Sequence, residues 1–141
     1  MEGDLDFEQA LRTRSTLLKG LKAEDCWRAI KKSIVYNTGA LNIVELLKRL
    51  GFSYKSAIVS GGFEPIAEHV REIIGIDFAF ANMLKVDDNG DFTGELVGQV
   101  ITPIEKKSVM DRLAEQYCIP RSNIIAIGDG ANDKSMIESA G

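Results

Sequence analysis

The stretch that most constrains the fold is the C-terminal run Ile124-Ile125-Ala126-Ile127-Gly128-Asp129-Gly130-Ala131-Asn132-Asp133. A short block of branched apolar residues that stops at Gly-Asp-Gly has the pattern of a strand buried on both faces, as in a parallel sheet covered by helices. Such a strand delivers a carboxylate at its carboxyl end, the edge at which open α/β sheets hold their ligands. Gly128 and Gly130 let the backbone turn tightly and come close to a ligand. Asp129 and Asp133 stand around the start of the next helix, and two carboxylates there suit a hard cation. Mg²⁺ takes one or two carboxylates and completes its shell with water and substrate phosphate, so the spacing points to metal-assisted phosphoryl chemistry. The competing reading is structural, with Asp129 an N-cap and Asp133 a first-turn residue favoured by the helix macrodipole.

The residues upstream alternate between helix and strand. Ile43, Leu46, Leu47 and Leu50 make a helical stripe between Asn37-Thr38-Gly39 and Gly51, and Tyr54 to Ser60 follows as a short strand. Ser60-Gly61-Gly62 stands where that strand is expected to end. A hydroxyl and two freely turning amides make a phosphate cradle, with a plain loop as the alternative. Pro65 opens a helix carrying Ile66, Val70, Ile73 and Ile74 and stopping at Gly75, with His69 on its surface side. Ile76 to Ala81 reads as another strand. Leu84-Lys85-Val86 and Asp91-Phe92-Thr93 then flank Asp87-Asp88-Asn89-Gly90, a hairpin turn without the spacing of a calcium loop. Glu105 to Tyr117 forms a helix that opens with Lys106 and Lys107 and turns Val109, Met110 and Leu113 inward. Helix, strand and helix in succession predict an α/β fold with a parallel sheet.

At the N-terminus, Phe7, Leu11 and Leu18 are spaced for a helix from Asp6 to Lys19 that ends at Gly20, with Asp6 as its N-cap. A second helix runs from Ala23 to about Lys32, with Trp27 and Ile30 on one face.

Composition excludes several functions. The 141 residues carry 17 basic and 21 acidic side chains, a net charge of −4. They show none of the basic clustering that nucleic acid or an acidic membrane surface requires. No apolar run reaches membrane-spanning length, and Met-Glu-Gly-Asp-Leu-Asp is acidic where a signal peptide is basic, so the expected location is cytoplasmic. Cys26 and Cys118 stand far apart without a C-x-x-C motif and read as reduced thiols.

The hexapeptide Gly128-Asp129-Gly130-Ala131-Asn132-Asp133 resembles the fourth signature of the haloacid dehalogenase superfamily, in the form found in its phosphoserine phosphatase branch. Val59-Ser60-Gly61-Gly62-Phe63 and Lys106 are similar to two further signatures, in the right order. The resemblance runs from Met1-Glu2-Gly3 through Phe7-Glu8-Gln9-Ala10-Leu11-Arg12-Thr13-Arg14 to Gly141. It implies a Rossmann-like three-layer αβα sheet with a helical cap formed in part by residues 1–36. The core is then 37–141, with a β-hairpin near 84–100. It implies hydrolysis of O-phospho-L-serine, a step of L-serine biosynthesis, through an aspartyl-phosphate.

The implied roles fall on particular residues. Phe7 and Arg14 match substrate-contacting positions, with Arg14 gripping a carboxylate through its guanidinium fork. Ser60 and the Gly61 amide match groups on the phosphoryl oxygens, and Lys106, with Lys107 as the fallback, neutralises developing charge. Asn132 orients Asp133 or the phosphate, and Asp129 and Asp133 hold Mg²⁺. The partner is a small phosphomonoester, and a homodimer is allowed.

One signature is lacking. The family's nucleophile sits in an Asp-x-Asp motif at the end of a hydrophobic strand, and this chain has no such strand. Asp4-Leu5-Asp6 has the spacing but no buried run before it, and Glu8 stands where the motif wants Thr or Val. The expectation is therefore an internal fragment, incomplete at both ends and inactive alone. The alternatives are a non-catalytic Mg²⁺ and phosphate binder of the same fold, or a phosphatase of another small substrate. The missing strand would lie between the strands at 57–60 and 124–128. The isolated chain is expected to be molten, aggregating or a strand-exchanged dimer unless those two strands pair directly.

Overall fold

The computed structural model describes the backbone of residues 2–51 and 53–141 and the side chains of residues 7–51 and 53–141. In chain order the elements are α1 (Glu2–Thr16), α2 (Ala23–Ser33), α3 (Ile43–Arg49), β1 (Ala57–Phe63), α4 (Glu64–Ile74), β2 (Phe78–Val86), β3 (Phe92–Val97), α5 (Pro103–Gln116) and α6 (Lys134–Ile137), with 3₁₀ turns at Arg121–Asn123 and Ala131–Asp133. The fold is α/β, as the alternation predicts.

Among the described residues the sheet is three-stranded, in the order β1-β2-β3. β1 and β2 pair in parallel and are joined by α4, which packs against both strands. Pro65 sits in the first turn of α4, where its missing N–H is no loss, and Gly75 closes the helix at φ 80° with its N–H on Arg71 O at 2.9 Å. Asp77 then ties the start of β2 to the residue before β1, accepting from Ser56 N at 2.8 Å and Ser56 Oγ at 2.9 Å.

β2 is longer than the sequence pattern predicts. The expected strand at 76–81 and the first arm of the hairpin are one element of 9 residues. Its first half pairs with β1 and its second half runs antiparallel to β3, Met83 facing Val97 and Val86 facing Phe92. The hairpin turn forms as expected, with the Asp87 carboxylate accepting from the amides of Asn89 and Asp91 and Gly90 at φ 82°.

Around this hairpin lies the apolar centre: Ala23, Leu84 and Phe92 are buried, with Leu18, Cys26, Trp27, Phe63 and Leu96 packed against them. The Trp27 ring meets Phe92 edge-on at 5.2 Å between centroids, a favoured aromatic geometry. Full burial of Phe92 or Leu84 is worth about 1.5–3 kcal/mol each. The turn between α1 and α2 is fastened to the same strands through Gly20 N on Phe92 O at 2.8 Å and Phe92 N on Leu21 O at 3.0 Å.

Several expectations need correction. α1 begins at Glu2, so Asp6 lies inside the helix and is not its N-cap; the side chains of Asp4 and Asp6 lie outside the described residues. Trp27 is half-buried, whereas Ile30 on the same helix is exposed. On α3 the buried residue is Val44, while Ile43, Leu46 and Leu50 of the predicted stripe are exposed. His69 is half-buried. β1 begins at Ala57 and runs through Ser60-Gly61-Gly62 to Phe63, so those residues lie within the strand and not at its end.

The largest correction concerns residues 124–128. They form no strand and pair with none among the described residues, and Ile125 and Ile127 are 86% and 84% exposed. Direct pairing with 57–60, the one route named for closing the sheet, does not occur. The run has the composition of a central strand, but a strand exists only where a neighbour supplies the other half of the ladder.

Candidate active site

A glycine-bearing bulge in β1, a glycine-bearing loop and the helix that contacts both make the site. In β1 the parallel ladder follows Ala57, Ile58 and Val59 opposite Phe78, Ala79 and Phe80, then resumes only at Phe63 opposite Asn82. Ser60, Gly61 and Gly62 therefore stand against a single residue of β2 and bulge out of register. The Ser60 hydroxyl stabilises the bulge by accepting from Gly62 N–H at 3.0 Å, which leaves its own proton free to donate. Phe7 of α1 lies against Gly61, since a Cβ there would come within 2.8 Å of the ring Cζ.

The loop is Gly128 to Asp133. Asp133 is 7% exposed, and its Oδ1 accepts from Lys106 Nζ at 2.6 Å, a lysine itself only 6% exposed. Its Oδ2 accepts from Gly130 N–H at 3.2 Å. Burial pushes the Asp133 carboxyl up, but the hydrogen bond from Lys106, the Gly130 amide and the lysine's charge outweigh it and hold the group below the usual carboxylate range. The loop has no room for a larger residue at Gly128, where a Cβ would run into the Cβ and carboxyl of buried Asp133, whereas one on Gly130 would meet only the tip of the Asn132 side chain. Asp129 is exposed and Asn132 half-buried beside this cradle.

α5 brings the bulge and the loop together. It packs against β1 and also against the 3₁₀ turn 131–133 and α6. Its start is set by Thr102, whose Oγ1 accepts from Glu105 N at 3.3 Å, and its inner face by buried Val109 and Met110. One turn in, Lys106 enters the interior towards Asp133. Lys107 turns to Asp111 of its own helix instead. Arg14 is exposed on α1, its Nε donating to Ala10 O at 3.2 Å.

The structure thus gathers Lys106, Asp133, Gly128, Gly130 and Asn132 in one place and sets Phe7 on Gly61. Among the described residues no three His, Cys, Asp or Glu side chains converge as a metal cluster. An open cleft of about 600 Å³ lies beyond the far end of α5, lined by residues from Asp111 to Arg121, away from Lys106.

Sequence reasoning missed Asn82. It is 2% exposed, on β2, with its amide on the carbonyls of Gly61 and Gly62. The signal was present: a lone asparagine inside Phe78-Ala79-Phe80-Ala81-Asn82-Met83-Leu84 has to find buried partners.

The family model of the haloacid dehalogenase-like hydrolases matches residues 2–138. The chain belongs to this family. It is 43% identical over 141 residues to a phosphoserine phosphatase of Methanocaldococcus jannaschii, covering all of this chain and 65% of that one. Against the phosphoserine phosphatase of Archaeoglobus fulgidus it is 42% identical, covering all of this chain and 40% of the relative. A substrate-bound phosphoserine phosphatase complex superposes with a TM-score of 0.86 at 42% identity, over 100% of this chain and 65% of that one. A probable phosphoserine phosphatase from Vibrio cholerae, unliganded, gives 0.87 at 34%, over 99% of this chain and 42% of that one. The chain thus spans between two fifths and two thirds of the length of these relatives. Its α/β fold matches these structures over nearly the whole chain, and among the described residues no helix is long and apolar enough to cross a membrane.

Proposed function

We propose that residues 1–141 are part of a Mg²⁺-dependent phosphomonoesterase that hydrolyses O-phospho-L-serine to L-serine and phosphate in the cytoplasm, as a step of L-serine biosynthesis. The observation that carries this reading is the buried Lys106–Asp133 pair, which closes a glycine loop that displays Asp129. The names of the relatives support the substrate.

In this reading residues 1–36 belong to the cap and 37–141 to the core. Ser60 donates its free hydroxyl proton to a phosphoryl oxygen and the Gly61 amide donates to another, while Lys106 offsets the charge that builds on the transferring group. Phe7 shields the phosphate loop, and Arg14 holds the substrate carboxylate once it leaves its own helix backbone. Asn132 orients Asp133 or the phosphate.

The donor set fits a hard cation. Asp129 and Asp133 offer carboxylate oxygens, and the loop is built so tightly that a Cβ on Gly128 would fill the space Asp133 occupies. These two residues would hold Mg²⁺, which when bound supplies positive charge to the phosphoryl oxygens. Neither is assigned the attack on phosphorus. The only Asp-x-Asp spacing upstream, Asp4-Leu5-Asp6, lies within α1 and not at a strand end, so the chain by itself is proposed to bind substrate without turning it over.

Calorimetric titration with O-phospho-L-serine and Mg²⁺ tests this. The chain should bind without releasing phosphate, and Asp129→Asn should remove the Mg²⁺ requirement together with most of the affinity. Arg14→Ala should weaken O-phospho-L-serine about tenfold or more, the scale of a charge-assisted hydrogen bond, and spare an aryl phosphate. Equal losses on both ligands would remove Arg14 from the site. Mg²⁺-dependent turnover that survives Asp4→Asn and Asp6→Asn would place the nucleophile elsewhere in the chain.

A further inference from the structure

The bulge in β1 leaves backbone carbonyls without strand partners, and Asn82 takes them. Its Nδ2 donates to Gly61 O at 2.9 Å and to Gly62 O at 3.1 Å, while its Oδ1 accepts from Ile101 N at 2.8 Å. Asn82 itself is 2% exposed and its three contacts are part-buried, so losing a partner leaves buried polar atoms of Asn82 unsatisfied, which is costly.

The contacts reach the candidate chemistry in two directions. A trans peptide sets the C=O of one residue opposite the N–H of the next. Holding Gly61 O therefore aims the Gly62 N–H the other way, onto Ser60 Oγ at 3.0 Å. With Oγ accepting that bond, the Ser60 hydroxyl proton is directed away from Gly62. On the other side, Ile101 precedes Thr102, which caps α5 and accepts from Lys106 N at 3.0 Å through its carbonyl. One side chain thus ties the bulge that bears Ser60 and Gly61 to the first turn of the helix that bears Lys106.

We propose that Asn82 is a positioning residue for phosphate recognition: it fixes the Ser60-Gly61-Gly62 bulge, and with it the Ser60 hydroxyl, at a set distance from Lys106. This rests on reading the bulge as a phosphate seat. Asn82 touches no ligand and acts through Ser60.

Asn82→Asp tests it with little change in shape, keeping an acceptor for Ile101 while replacing both donors with an oxygen that faces two carbonyls. Equilibrium dialysis against labelled inorganic phosphate should show about tenfold weaker binding, one hydrogen bond's worth. Ser60→Ala should cause a similar loss, and the double variant should bind no worse than either single one, because Asn82 works through Ser60. In the free chain, hydrogen–deuterium exchange read by mass spectrometry should accelerate over 60–63 and stay unchanged in the hairpin 86–97. Additive losses, or unaltered phosphate binding in Asn82→Asp, would overturn the proposal. If the unmodified chain takes up no phosphate, the phosphate seat falls. The exchange arm then still decides whether Asn82 holds the bulge, unchanged exchange over 60–63 counting against it. If Asn82→Asp does not fold, Asn82→Ser, with one hydroxyl for these contacts, is read by the same criteria.

Discussion

Ala57-Ile58-Val59-Ser60-Gly61-Gly62 and Ile124-Ile125-Ala126-Ile127-Gly128-Asp129 are the same kind of sequence, a branched apolar run leading into a glycine turn. The first is β1, hydrogen-bonded along β2, with Ile58 and Val59 half-buried. The second pairs with no strand among the described residues and exposes Ile125 and Ile127. Yet the loop that follows the second run is fastened too, through Lys106, Asp133 and the Gly130 amide. The difference teaches that β propensity and loop anchoring are separate matters. A polar pair can hold a turn in place while the strand leading into it has no ladder.

The largest effect should come from the anchor. Lys106→Met leaves Asp133 buried without its cation, and breaking a buried pair from one side costs about 3–5 kcal/mol. Urea unfolding followed by circular dichroism should show it, and a loss below about 1 kcal/mol would mean that the second loop is no better held than the run before it. Gly128→Ala should follow at about 1–3 kcal/mol, the range for forcing atoms into a packed site, because its Cβ meets backbone-linked atoms of Asp133. A neutral result would show that the loop can shift as a body.

On the paired side the effects are smaller. The Asp77 carboxyl is raised by burial but lowered more by the Ser56 amide and hydroxyl and by nearby lysines, and sits below its ordinary value. A depressed carboxylate contributes stability above its unfolded pKa of about 4 and loses it as pH falls through the lower native value. Thermal melts of Asp77→Asn and the unaltered chain should differ at neutral pH and converge in acid. The difference should stay within about 1 kcal/mol, since Asp77 is exposed. A constant difference across pH would mean that its charge does not hold β1 to β2.

The smallest stability change should come from Ile125→Lys with Ile127→Lys, within about 0.5 kcal/mol for such exposed positions. The same pair of changes should act on association. An exposed apolar run without a strand partner among the described residues favours pairing between chains, and charges there oppose it. Sedimentation should find concentration-dependent self-association in the unaltered chain and less in the double variant. A large stability loss would reveal that the run is covered in solution.

The local chemistry of this protein was readable from its residues. Pro65 and Gly75 bound α4, Asn89-Gly90 turns the hairpin, and membership of the haloacid dehalogenase-like hydrolases follows from motifs that need particular residues at particular spacings; α5, expected from Glu105, starts two residues earlier at Pro103 behind its Thr102 cap. The crowding of Gly128 was legible in kind, since only glycine tolerates so close an approach. What the residues could not determine was pairing. Ile124 to Ile127 has every local preference of a buried strand, but a ladder needs a second chain segment at hydrogen-bonding distance, and no pattern within the run encodes whether one is there. The same holds for Asn82, whose place in an apolar strand announced a buried partner without naming it. Its partners are the carbonyls of Gly61 and Gly62 and the amide of Ile101, each some twenty positions away in sequence, and the two carbonyls are set opposite it because the bulge in β1 takes three residues against one. Tertiary structure decided both, because hydrogen bonds between distant segments depend on how the elements dock and not on what each prefers alone.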